Sequence, residues 1–105
     1  MDKKSLFKIK QFIRVSQEIE KALNVTVIQK KILLTLIDLC DQNKKFIPVG
    51  DLAISIKDVS ERSFYRHIKT LITSGWIKLY CSDEDHRIKL IEPSPRLLKT
   101  LSSQI

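Results

Sequence analysis

Three residues, Asp58-Val59-Ser60, separate two short helical patterns in this chain, and that spacing decides most of what it can fold into. Before the turn, from Gly50 to about Lys57, Leu52, Ala53 and Ile56 fall on one helical face. After it, Phe64, Ile68 and Leu71 recur at the three- and four-residue steps of a second helix running to about Ser74. Ser60 is placed to cap the start of that helix, and Gly75 suits the left-handed position that stops it. Two short helices joined this tightly read as a helix-turn-helix.

The segment beyond the second helix narrows the fold further. Trp76 to Cys81 reads as a strand and Arg87 to Ile91 as another, with the polar, acidic stretch Ser82 to His86 as a hairpin tip between them. A helix-turn-helix and then a hairpin is the order of a winged helix. Upstream, Thr26-Val27-Ile28-Gln29 is a capping-box pattern that opens a helix to about Asp41. Its expected buried stripe is Ile28, Ile32, Leu33, Leu36, Ile37 and Cys40. Asn43-Lys44-Lys45 ends it, and Phe46 to Val49 is short and extended.

The ends of the chain add one helix each. From about Lys4 to Leu23, Leu6, Ile9, Phe12, Ile13, Ile19 and Leu23 form an amphipathic stripe that Val15 and Ala22 widen. At the other end Ser94 is an N-cap and Pro95 a first helical residue, with Leu98, Leu101 and Ile105 on one face. The N-terminal stripe is wider than one small core needs. Leu6, Ile9, Phe12 and Ile13, with Leu98 and Leu101, are therefore expected at a contact with a second subunit. The alternative is a helix that covers only its own domain.

The expected architecture is mainly α with a small β-hairpin (α+β), a winged helix-turn-helix in a single domain over residues 1–105. Residues 4–23 form the N-terminal helix. Residues 26–92 form a three-helix core with a two- to three-stranded wing, and residues 94–105 form the C-terminal helix.

A balance of 19 Lys+Arg against 12 Asp+Glu, a formal charge of +7, gives a positive field that attracts polyanions. The second helix of the turn says where that charge points. Opposite Phe64, Ile68 and Leu71, it carries Arg62, Ser63, Tyr65, Arg66 and Lys69, and Arg62, Arg66 and Lys69 lie near one line. Arginine can read guanine through two hydrogen bonds, whereas Lys69, further along, suits a phosphate. Ser60 and the helix N-terminus can also hold a phosphate. Arg87 and Lys89 of the hairpin complete the expected DNA-binding set. His67 lies between the two faces and reads as a packed structural residue. The bland alternative is a solvated helix with scattered charge.

Residues Leu52-Ala53, Val59 to Leu71 and Gly75-Trp76-Ile77 resemble the winged-helix core of MarR-type regulators. Asp85-His86-Arg87 is similar to their Asp-x-Arg wing motif, and Val25-Thr26, Gln29 and Ile32-Leu33 resemble the start of their preceding helix. The resemblance covers roughly residues 25 to 95. It implies that Arg87 probes the minor groove and that Asp85 holds it in place; a narrow minor groove does attract a guanidinium. The alternative is an Asp–Arg pair that only ties the hairpin. Family members continue with long dimer helices after the wing, whereas this chain runs only from Ser94 to Ile105. Dimerisation is therefore expected to rest on the N-terminal helix and this short tail, the alternative being that it is absent.

The function expected is sequence-specific binding of double-stranded DNA by a homodimeric transcription regulator. Two alternatives stay open: a plasmid or phage replication or partition protein, and a winged helix that holds another protein. No enzyme is expected, because no nucleophile sits beside a base and no Gly-rich phosphate loop exists. No cofactor is expected either, and a metal site from His67, His86 and the acidic tip is a remote alternative. Cys40 and Cys81 read as reduced core and strand residues, with a redox switch as the minority reading. No run spans a bilayer and the N-terminus is broken by charge, so a cytosolic protein is expected.

Overall fold

The computed structural model describes residues 2–40 and 46–103. Helix α1 (Lys3–Leu23) leads into α2 (Val27–Cys40), the two-residue strand β1 (Ile47–Pro48) and α3 (Val49–Ser55). Then come α4 (Glu61–Thr73), β2 (Ile77–Cys81), β3 (Lys89–Pro93) and α5 (Pro95–Ser103). The three strands form one antiparallel sheet in the order β1-β3-β2. This is a mainly α winged helix, with a three-stranded wing sheet. The expected stop signal Asn43-Lys44-Lys45, with Asp41 and Ile105, lies outside the described residues.

Local chemistry sets the helix ends. Asp2 opens α1 by accepting from the Ser5 N–H at 2.7 Å, and Asn24 closes it in the left-handed conformation at φ 54°. At α2 the capping box is reciprocal: Thr26 Oγ1 accepts from the Gln29 N–H, and Gln29 Oε1 accepts from the Thr26 N–H, both at 3.1 Å. Simple one-way caps open two further helices: Ser60 Oγ accepts from the Ser63 N–H at α4, and Ser94 Oγ accepts from the Leu97 N–H at α5.

The core lies where α2, α3, α4 and the sheet meet. Ile32, Leu33 and Leu36 of α2, Leu52 of α3, and Phe64, Ile68 and Leu71 of α4 close over Ile77 and Ile91 of the sheet, with Leu97 of α5. Burying each such side chain contributes about 1.5–3 kcal/mol. Three expectations need correcting. Ile28 is exposed, because the capping box turns Gln29 inward and moves position 28 to the rim of the stripe. In α5 the inner pair is Leu97 and Leu101, four residues apart, and Leu98 points outward. Leu101, expected at a subunit contact, is thus packed into its own core at 9% exposure.

The second wing strand also starts later than expected, at Lys89 rather than Arg87. Cys81 pairs with Lys89 and Ile77 with Pro93, which leaves 82–88 as the tip. Asp85 draws the expected first residues of that strand into the loop: its carbonyl accepts from the Ile88 N–H and its carboxylate from the Arg87 N–H.

Where α4 ends, Gly75 sits at φ +84° and Arg96 of α5 reaches over it. The Arg96 guanidinium lies 4.2 Å from the Trp76 ring centre and donates to the Ser74 carbonyl at 3.0 Å. A Cβ on Gly75 would come within 3.3 Å of Arg96 Nη1. Gly75→Ala should therefore cost about 1–2 kcal/mol from the left-handed backbone alone, read as a lowered urea midpoint.

The molecule measures 53 × 28 × 26 Å, elongated because α1 reaches beyond the body. Of its side chains only Leu23 is buried, while Phe7 and Phe12 are 61% and 74% exposed. Lys30 of α2 ties its C-terminal half down, donating to Ser16 Oγ and, at 2.8 Å, to Glu20. Among the described residues no helix is long and apolar enough to cross a membrane.

Candidate nucleic-acid interface

Helix α4 owes its exposed charged face to its own sequence pattern. With Phe64, Ile68 and Leu71 locked in the core, the 100° step per residue turns Arg62, Tyr65, Arg66 and Lys69 outward, and all four are exposed. Ser63 is half-buried and gives its N–H to Ser60 Oγ at 3.2 Å. The Tyr65 ring stands edge-on to Phe64, centres 5.2 Å apart, which steadies it beside the arginines. Behind the helix, Lys31 of α2 donates to Asp58 in the turn; this ammonium holds the Asp58 carboxyl below the usual carboxylate range. The turn is thereby tied to α2.

Across from α4 stands the wing. Arg87 and Asp85 meet side-on: Oδ1 accepts from Nε at 3.1 Å, and Oδ2 from Nη2 at 3.2 Å. Oδ1 also accepts from the Arg87 backbone N–H at 3.0 Å. The Arg87 side chain is nevertheless 91% exposed, against 34% for that of Asp85. A guanidinium held by one edge and open to solvent elsewhere keeps donors for another acceptor. The hydrogen bonds from Arg87 hold the Asp85 carboxyl below its ordinary range, so the pair survives moderate acidification. Ser82 Oγ accepts from the N–H groups of Glu84 and Asp85, closing the turn that presents the pair.

Between α4 and the wing runs a groove of about 900 Å³. Its floor is apolar, with Val49, Ile68, Ile72, Leu79 and Ile88, and three cations line it: Lys69 from α4, Arg87 and Lys89 from the wing. The structure thus brings the helix cation and the hairpin cations to one cleft. Arg62 and Arg66 lie on the same helix but do not line the groove. Lys89 Nζ is 3.2 Å from Cys81 Sγ on the neighbouring strand, and Cys81 is exposed. Cys40, expected in the core, is only half-buried.

Sequence reasoning missed one polar contact at the back of this surface. His67 is half-buried, and its Nδ1 lies 3.2 Å from Nε2 of Gln29, a side chain only 9% exposed. The partners are 38 residues apart, and the capping box already accounted for Gln29, so no local pattern announced the second bond. His86 is exposed, and among the described residues no group of three metal-ligating side chains exists.

No protein-family model matches the chain, and no curated protein matches it in sequence. Solved structures do match it in fold. A MepR mutant from Staphylococcus aureus superposes with a TM-score of 0.75 at 15% identity, over 99% of this chain and 73% of that one. The S. aureus MepR–DNA complex gives 0.72 at 16% identity, over 95% and 73%. A mutant MarR of Escherichia coli complexed with operator DNA gives 0.61 at 18% identity, over 99% and 76%. The fold is therefore the MarR-type winged helix that the motifs suggested.

Proposed function

We propose that this protein binds double-stranded DNA sequence-specifically and regulates transcription as a homodimer. One observation carries the reading: α4 and the wing present Lys69, Arg87 and Lys89 to a single open groove, with Arg62 and Arg66 exposed on the same helix. Solved structures that share the fold include complexes with DNA, which supports duplex DNA as the partner. In this reading Arg62 and Arg66 read base edges in the major groove. Lys69 and Lys89 clamp phosphates, and Ser60, which keeps its hydroxyl proton, adds another phosphate contact. Arg87, oriented by Asp85, enters the minor groove. Such a protein works in the cytoplasm and catalyses nothing.

A second copy is the partner that the exposed apolar face fits. Leu6, Phe7, Ile9, Phe12 and Ile13 of α1, with Leu98 of α5, are exposed. Burying such a face is worth about 25 cal/mol per Å². A two-fold dimer then reads paired half-sites about 10 base pairs apart.

The test is a selection from random duplexes and then titration of variants. Arg62→Ala and Arg66→Ala should each relax base preference, by about 1–3 kcal/mol at the position read. Lys69→Ala should weaken all sequences about equally, and Arg87→Ala should weaken A/T-rich flanks most. Four variants that bind like the parent would show that the face is wrongly assigned.

A further inference from the structure

Gln29 is one of two buried polar side chains among the described residues, the other being the helix cap Ser94. Its amide has one possible orientation. The Thr26 N–H can only donate, so the atom 3.1 Å from it is the oxygen, Oε1. The NH₂ end then faces His67, and because it can only donate, Nδ1 of the ring accepts at 3.2 Å. The ring proton therefore sits on Nε2. A buried amide with a single satisfied arrangement fixes the rotation of the helix it touches, since any other rotation leaves a polar group unpaired.

The position of this bond gives it a use. His67 directly follows Arg66 and lies one turn before Leu71, in the middle of α4. Gln29 lies in the first turn of α2, and its neighbour Lys30 bonds to Ser16 and Glu20 of α1. The same turn of α2 thus grips α1 on one side and α4 on the other. Phe64, Ile68 and Leu71 alone bind α4 through apolar contact, which tolerates small rotations about the helix axis; a directional bond at His67 does not.

We propose that Gln29 and His67 form a positioning link that sets the rotation of α4, and so the aim of Arg62 and Arg66, without either residue touching DNA. The link rests on the DNA-binding reading for its effect on recognition, but not for its existence.

Full-length protein serves for the test. The probes are a duplex selected by the parent from a random library and a random-sequence duplex of equal length. His67→Leu removes the acceptor at similar bulk; His67→Asn restores one, because Oδ1 stands where Nδ1 stood. His67→Leu should lower the ratio of selected to random affinity about tenfold with random-duplex binding little changed, and His67→Asn should recover it to within about threefold. Gln29→Met should match His67→Leu, and the double variant should lose no more than either single one. An unchanged ratio in His67→Leu, equal losses in the Leu and Asn variants, or losses that multiply would overturn the link. Amide hydrogen exchange of free protein separates this failure from that of the DNA reading. His67→Leu should speed exchange in α4 and His67→Asn should not, whatever the protein binds. Unchanged α4 exchange in His67→Leu overturns the link; a parent that binds no duplex while α4 exchange responds as stated overturns the DNA reading and leaves the link in place.

Discussion

Raising the salt from about 50 to about 200 mM should weaken duplex binding by about a thousandfold or more. Each protomer offers Arg62, Arg66, Lys69, Arg87 and Lys89 on the proposed surface, and a pair of protomers doubles that set. With Arg62 and Arg66 of both protomers engaged on base edges, about six cationic contacts remain, and each releases condensed counterions when it forms. The net charge of +7 adds long-range attraction of the same sign dependence. A titration series across these concentrations gives the slope of log affinity against log salt. Lys69→Ala should reduce that slope by about one contact per protomer. A flat series would favour the reading in which the winged helix holds another protein, since apolar association is hardly weakened by added salt.

Phe64→Ala should remove about 3–5 kcal/mol of stability, a large part of the roughly 5–15 kcal/mol that holds a typical domain together. Phe64 is 1% exposed and is among the largest fully buried side chains. It is also the first inward residue of α4, four positions after the Ser60 cap. Truncation leaves a cavity where α4 meets the rest of the core, which a body this small cannot refill. The effect should appear as loss of the cooperative urea transition or a midpoint shifted far down. Tyr65→Ala, next in sequence but exposed, should change the midpoint little. A loss under about 1 kcal/mol at Phe64 would mean that α4 is not seated on that ring.

The contrast between these neighbours marks the limit of what the residues alone reveal. Features that close within three or four residues could be read directly: the Thr26–Gln29 box, the Ser60 and Ser94 caps and the Gly75 stop, whereas the Asp85–Arg87 pair was implied by the resemblance to the Asp-x-Arg wing motif. Each needs only its own turn of chain. Helical periodicity likewise placed Phe64, Ile68 and Leu71 inward. The docking of one element on another was harder to read. Leu97 and Leu98 are adjacent, and only the seat of α5 on the body decides which turns inward. The start of β3 depends on hydrogen bonds from Asp85 that compete with the strand ladder. The pairing of β1 with β3 joins Ile47 to Ile91 across most of the domain, and the Gln29–His67 bond joins two helices through residues that each have a local explanation.

Helix α1 is 21 residues long and tucks away only Leu23. In the proposed homodimer, the order of α1 beyond the Lys30 clamp would come from the second copy lying against its phenylalanines. Diluting such a dimer should therefore loosen the far turns of α1 first, while the cleft beside α4, built from different side chains, keeps its shape. On the proposed reading, self-association through α1 and DNA binding through the cleft would then fail at separate thresholds.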